Sequence, residues 1–429
     1  MKILLKNLKL IHPEIKKTET ADILLEDGII SKIGKLTAPD IKDAKEYDFK
    51  NCYAAPGFFD MHVHLREPGR EDEETVVTGC NCAASGGFTG VACMPNTEPA
   101  IDSAEVVMLI KKEAANHLVD VYPIGAATIG RKGELLSPMA ELHESGVVGF
   151  SDDGVAIKTA SIVKRALEYS NMYKLPIIEH CEDESLAGGA MNEGLNSTML
   201  GLPPVPSVAE DLIVIRDILL AEYTGGRIHI AHISTKNAVD MVRQAKKKGI
   251  NVTSEVTPHH FTLNDDAVKT YDTNVKMNPP LRTQADVDAM IEGLKDGTID
   301  CIASDHAPHS PEEKEAEFEL APNGILGLET QVGLTFTELY HKKHLTLEQV
   351  VEKLSINPRK ILNIPVPQFK EGERANFTIF NPDLEWKYDL PKTQSKSKNS
   401  PFNGREFKGK ALAVVNNKKM FADDKFTSI

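Results

Sequence analysis

Short apolar runs alternate with longer amphipathic stretches along most of the chain, and this rhythm breaks at both ends. From Pro56 onward the pattern predicts strands over 57–63, 87–94, 119–126, 146–151, 175–180, 227–233, 251–256 and 300–304. Between them the apolar spacing predicts helices over 103–118, 160–172, 208–223, 236–248 and 284–294. Strands alternating with helices in this way imply βαβ units, a parallel sheet and an α/β fold of the (β/α)8 TIM-barrel type. Residues 1–55 read differently: Ile3-Leu4-Leu5, Asp22-Ile23-Leu24-Leu25 and Ile29-Ile30-Ser31-Lys32-Ile33 are short strands punctuated by Glu26-Asp27-Gly28 and Gly34. The same texture returns after Pro365, in Ala375-Asn376-Phe377-Thr378-Ile379-Phe380 and Ala411-Leu412-Ala413-Val414-Val415. Neither end could bury a core alone. Residues 1–55 and 367–429 are therefore expected to pair into one small β-sandwich-like domain beside a barrel spanning 56–366. The polar tract 392–400 reads as an exposed loop.

Composition narrows the class without changing that picture. With 429 residues, 41% hydrophobic and 26% charged, the chain has ample material for a core, which excludes collagen-like, disordered and transmembrane classes. Its 49 basic and 63 acidic residues give a net charge of −14 with no basic stripe, which excludes nucleic acid and anionic membrane as partners. The six cysteines follow no ladder spacing and are expected to be buried, reduced thiols. The apolar run after Met1 is too short for a signal peptide, and no run reaches the ~20 residues of a membrane helix. A cytoplasmic protein is expected.

Chemistry in such a barrel gathers where strands end. His62 and His64 stand two apart at the end of the first strand, so both imidazoles project to one face. The fourth strand ends in Ser151-Asp152-Asp153-Gly154, the fifth in Glu179-His180, the sixth in Ala231-His232 and the eighth in Ser304-Asp305-His306-Ala307-Pro308-His309. Four histidines and two aspartates converging on one volume suffice for one or two divalent ions, zinc above all, with a bridging carboxylate and a hydroxide between them. Alternation turns Asp152 away from its neighbour, and Cys181 away from the ions. Lys158 lies beyond the strand as a surface residue, His259-His260 reads as packing, and Glu182-Asp183 as support for the ligands or the loop. The segments 186–206 and 309–324 are long enough to cover the site.

Asp60-Met61-His62-Val63-His64-Leu65-Arg66-Glu67-Pro68-Gly69, taken with Ser304-Asp305-His306-Ala307-Pro308-His309, resembles the amidohydrolase superfamily and within it the type I dihydroorotases. Met94-Pro95-Asn96-Thr97, Asn278-Pro279-Pro280-Leu281-Arg282 and Ala321-Pro322-Asn323-Gly324 extend the resemblance over essentially the whole chain. It implies that His62, His64 and Asp305 hold a first metal, His180 and His232 a second, and that Asp153 bridges them. It implies a substrate carboxylate cradled by Arg66, Asn96 and His309, with His64 beside it and the ring met by Asn278 and the backbone of Asn323 and Gly324. The implied activity is metal-dependent closure of N-carbamoyl-L-aspartate to (S)-dihydroorotate in pyrimidine synthesis, with Asp305 as general acid and base. A homodimer, and association with aspartate carbamoyltransferase, are the implied assemblies. Relatives acting on hydantoins, dihydrouracil or allantoin place a carboxylated lysine at the end of strand four; this chain has aspartate there, and Arg66 suits an acidic substrate. A silent, transferase-supporting subunit would have lost ligands that are all present here.

Overall fold

The computed structural model describes residues 1–37 and 40–429. Its eight parallel barrel strands follow the predicted order: Phe58–Val63, Phe88–Cys93, Asp120–Pro123 resuming as Gly125–Ala126, Phe150–Ser151, Ile177–Glu179, Ile228–Ile230, Val252–Val256 and Cys301–Ile302. The third strand breaks at Ile124. Its first part pairs with strand two, and its second part carries the pairing to strand four and on through strand eight. A parallel bridge between Val63 and His306, with the His64 amide donating to the His306 carbonyl at 2.9 Å, returns the sheet to its start. The barrel is closed. The ladders are shorter than the apolar runs; strand four keeps only two residues of the expected 146–151. Pattern alone cannot mark the end of a ladder whose flanking residues stay buried.

Phe59, Met61, Ala92, Ile124, Ile178, Ala231 and Cys301, drawn from strands around the whole circle, meet in one buried cluster, which only the interior of a closed barrel permits. The helices lie outside, and several start where a threonine just past a strand can take a free amide: Thr159 accepts from Ile162 and Thr235 from Ala238.

Both chain ends build one nine-stranded sheet. Its seam is Tyr53–Pro56 lying antiparallel to the start of Phe377–Lys387. Ile3, Leu5, Ile23 and Leu25 from the first half share a core with Phe377, Ile379, Val415 and Met420 from the second. The sandwich-like character thus comes from a single hydrogen-bonded sheet folded over its own core.

The tract 392–400 corrects its expectation. Ser395, Ser397, Asn399 and Ser400 are buried, whereas Lys396 and Lys398 face out. Ser397 donates to the Glu73 carbonyl at 2.7 Å, and Asn399 Nδ2 donates to the carbonyls of Ala307 (2.8 Å) and Gly324 (3.1 Å). Small polar side chains at every second position satisfy the backbone of two loops above the barrel, so the tract is a strut rather than a solvated loop.

Candidate metal centre and substrate pocket

At the C-terminal mouth of the barrel, Asp153 sits between two sets of imidazoles. Its Oδ1 lies 3.4 Å from His62 Nε2, 3.5 Å from His232 Nε2 and 3.8 Å from His180 Nδ1, and its Oδ2 lies 3.6 Å from His64 Nε2. The ligand atoms of His62, His64 and Asp153 fall within 4.8 Å of one another, as do those of Asp153, His180 and His232. Asp305 borders the first set, with Oδ1 2.9 Å from His64 Nε2 and 3.6 Å from His62 Nε2. Asp152 turns away as alternation requires, accepting the Thr128 amide at 2.9 Å. Lys158 is exposed. The Cys181 thiol is buried against the Glu179 carbonyl, and burial pushes its pKa well up, so it stays a thiol.

The donor set fits divalent ions. Among the described residues, His62 Nε2 and Asp153 Oδ1 are buried and lack any hydrogen-bond partner, although they face each other across the cluster. Such orphaned lone pairs are costly unless a cation takes them. Imidazole with carboxylate suits zinc. Burial opposes charge on His62, yet the carboxylates of Asp153 and Glu255 raise its pKa well above the usual range. Burial likewise opposes charge on Asp153 and Asp305, while the surrounding imidazoles hold both carboxyls well below theirs. The cluster draws positive charge inward.

Three of the four imidazoles, His62, His64 and His180, are aimed by a partner behind them. His62 Nδ1 lies 2.6 Å from the buried Glu255, and His64 Nδ1 lies 2.8 Å from Asn96 Oδ1, leaving both Nε2 atoms to the cluster. Asn278 Nδ2 donates to Glu182 at 3.0 Å and lies 3.3 Å from His180 Nε2, which turns His180 Nδ1 inward. His260 is spent on Thr257 and the Pro279 carbonyl, in keeping with packing, and burial lowers its pKa well below the usual range. Backbone strain collects here as well: Arg66, His232 and Asp305 have φ of 62°, 30° and 47°.

A cavity of about 250 Å³ opens over the cluster. Its floor is His64, Asp153, His180, His232 and Asp305, and its wall is Arg66, Asn96, Asn278, His309, Asn323 and Gly324, joined by Gly154 and Ala307. His62 lies fully buried beneath. The expected site residues are thus brought together in one place. Three side chains escaped sequence reasoning. Glu255 stands inside the seventh strand, where a charged residue in an apolar run was the available signal. Glu73 and Glu74 lie in Arg70-Glu71-Asp72-Glu73-Glu74, which reads as a solvated charge cluster, yet both are buried.

The family model described as "Dihydro-orotase-like" matches residues 53–238. The chain is 50% identical to a dihydroorotase of Pelotomaculum thermopropionicum over 416 residues, 97% of each chain. It is 48% identical to a dihydroorotase of Acetivibrio thermocellus over 425 residues, 99% of each. Among solved structures it resembles an L-hydantoinase (dihydropyrimidinase) from Arthrobacter aurescens, with a TM-score of 0.86 and 25% identity, covering 98% of this chain and 96% of that one. A dihydropyrimidinase from Brevibacillus agri shares the fold with a TM-score of 0.84 at 21% identity, covering 99% of this chain and 96% of that one.

Proposed function

The chain belongs to the dihydroorotase family, and we infer from that membership that it is a dihydroorotase, reversibly closing N-carbamoyl-L-aspartate to (S)-dihydroorotate for pyrimidine synthesis. The observation that carries the reading onto this molecule is the meeting of Arg66 with the shared aspartate Asp153 in one small cavity. A neutral ring would need no guanidinium there.

We propose that His62, His64 and Asp305 hold one divalent ion, His180 and His232 a second, and that Asp153 bridges them. Ions in this setting acidify water and withdraw charge from a carbonyl oxygen. The remaining work falls to the chain. Asp305, kept ionised by its imidazole neighbours, takes a proton from the attacking water during ring opening and delivers it to the departing ring nitrogen. In closure it takes the proton of the attacking carbamoyl nitrogen and releases it with the expelled water. Arg66, Asn96 and His309 bind the substrate carboxylate; Asn278, with the backbone of Asn323 and Gly324, orients the ring. Closure converts a carboxylate into a neutral carbonyl and consumes a proton, so acid favours it.

Zinc is our proposed ion, on the strength of the mixed imidazole and carboxylate donors, and the cytoplasm our proposed compartment, on six free thiols. Among the described residues no helix is long and apolar enough to cross a membrane. A homodimer is proposed from the exposed apolar stripe Val208, Leu212, Ile215, Leu219 and Tyr223 along one helix, with aspartate carbamoyltransferase as a further partner.

The test is a substrate panel on protein of measured metal content. Dihydroorotate should be opened, dihydrouracil and hydantoin left intact, and activity lost to a chelator and restored by zinc. Asp305→Asn should bind metal yet turn over at least ~10³-fold more slowly. Preferred turnover of a neutral ring would move the chain to the hydantoinase side and sink the assignment.

A further inference from the structure

Arg66 and His309 reach the cavity from loops after different strands, and both are long or loop-borne side chains that solvent alone would leave mobile. A single buried carboxylate joins them. Glu73 Oε2 lies 2.9 Å from Arg66 Nε, and Glu73 Oε1 lies 3.0 Å from His309 Nδ1. Glu73 is 2% exposed, so its charge is sustained by these partners and by Arg70, 3.2 Å away, rather than by water. Its own backbone is pinned: the Glu73 amide donates to the Arg70 carbonyl at 3.0 Å, and Ser397 donates to the Glu73 carbonyl. We propose that Glu73 is the positioning residue of the carboxylate clamp, holding Arg66 and His309 in register so that both meet the substrate carboxylate; the proposal rests on the assignment of those two residues above.

The geometry explains how a carboxylate can serve an anion site. Glu73 and the Pro308 carbonyl, 3.0 Å away, occupy the Nε side of Arg66. The outer Nη edge, which matches an incoming carboxylate bidentately, stays turned toward His309 Nε2 at 3.3 Å. Burial, and then the charges of Arg66 and Lys314, hold the His309 imidazole below its usual range. Glu73 meets Nδ1 at 3.0 Å and the Asn323 carbonyl meets Nε2 at 2.8 Å, so the ring is held from both sides. Arg66 itself holds a left-handed backbone conformation, φ 62°, that an untethered arginine would leave.

Glu73→Gln separates positioning from simple electrostatics. The amide is nearly isosteric but keeps only one oxygen and no charge, so it cannot pair with Arg66 and His309 at once. Removing a negative charge beside an anion site should by itself tighten binding. Loss of positioning should instead raise KM for dihydroorotate about tenfold or more, with kcat within ~3-fold of the parent. Adding Glu73→Gln to Arg66→Ala should then raise KM by a smaller factor than Glu73→Gln does alone, because one of the two residues Glu73 acts through is already gone. An unchanged or lowered KM in Glu73→Gln, a loss confined to kcat, or full additivity in the double variant would overturn the proposal while Arg66→Ala still raises KM. Should Arg66→Ala also leave KM unchanged, the carboxylate-clamp reading fails and takes the proposal with it.

Discussion

The carboxylate of Asp60 is fully enclosed two residues before His62, accepting the His62 amide at 3.1 Å and the Ser304 amide at 3.1 Å. Burial pushes its pKa up to about 7, outweighing those bonds. An unfolded aspartate titrates near ~3.9. The folded state therefore binds more protons between about 4 and 7, and the stability this group contributes is present at low pH and lost as pH rises through about 7. Asp60→Asn keeps an acceptor for both amides and abolishes the titration. Between pH 5 and 8 the variant should gain on the parent by roughly 3 kcal/mol in denaturant unfolding; parallel pH profiles would remove Asp60 as the source. Residues of this kind mark the limit of legibility. His62, His64, His180, His232 and Asp305 stand out because each ends an apolar run. The carboxylates behind His62 and His309 do not, since Glu255 lies 193 positions from His62 and Glu73 lies 236 from His309, and no local pattern couples such positions.

Among elements, order was readable and contact was not. Strand and helix sequence follow from periodicity, but the closeness of two helices depends on what a side chain would strike. In the helix Val76–Gly86, Gly86 backs onto the helix Leu328–Leu334, and a Cβ there would lie 2.2 Å from the Leu328 carbonyl oxygen and 2.8 Å from its carbon. Helix propensity favours Ala over Gly by about 1 kcal/mol. Overpacking against backbone, which cannot rotate aside, costs about 1–3 kcal/mol and should win. Gly86→Ala is expected to lower the unfolding midpoint, and a raised midpoint would mean that the two helices separate freely. The strut at 392–400 teaches the same lesson from the polar side. Its Ser-Lys alternation looks solvated, yet the backbone it satisfies belongs to loops more than 70 positions away, as in the bond from Asn399 to Gly324.

For the molecule as a whole, the consequential feature is how the barrel closes. Among the described residues, strands three to eight pair in unbroken succession, whereas strand eight returns to strand one through a single bridge, Val63 with His306, and the bond from His64 to His306. That thin seam is straddled by the proposed ligands: His62 and His64 on one side, Asp305 on the other, with Asp305 2.9 Å from His64. A cation shared by both sides would act as a clasp, and Asp153, His180 and His232 would tie the clasp to the opposite wall. Binding to the folded state alone stabilises by about 4 kcal/mol when free metal exceeds its dissociation constant ~1,000-fold. The effect should be uneven. Chelation should speed amide exchange chiefly in 62–66 and 303–309, the two segments that meet at this seam, and far less in the terminal sheet, whose core is separate. Restoring zinc should recover that protection together with the melting temperature. Hydrogen exchange by mass spectrometry reads both regions in one experiment. A uniform change across barrel and terminal sheet would mean that the metal stabilises the fold only globally, and no change at the seam would mean that the backbone closes the barrel unaided.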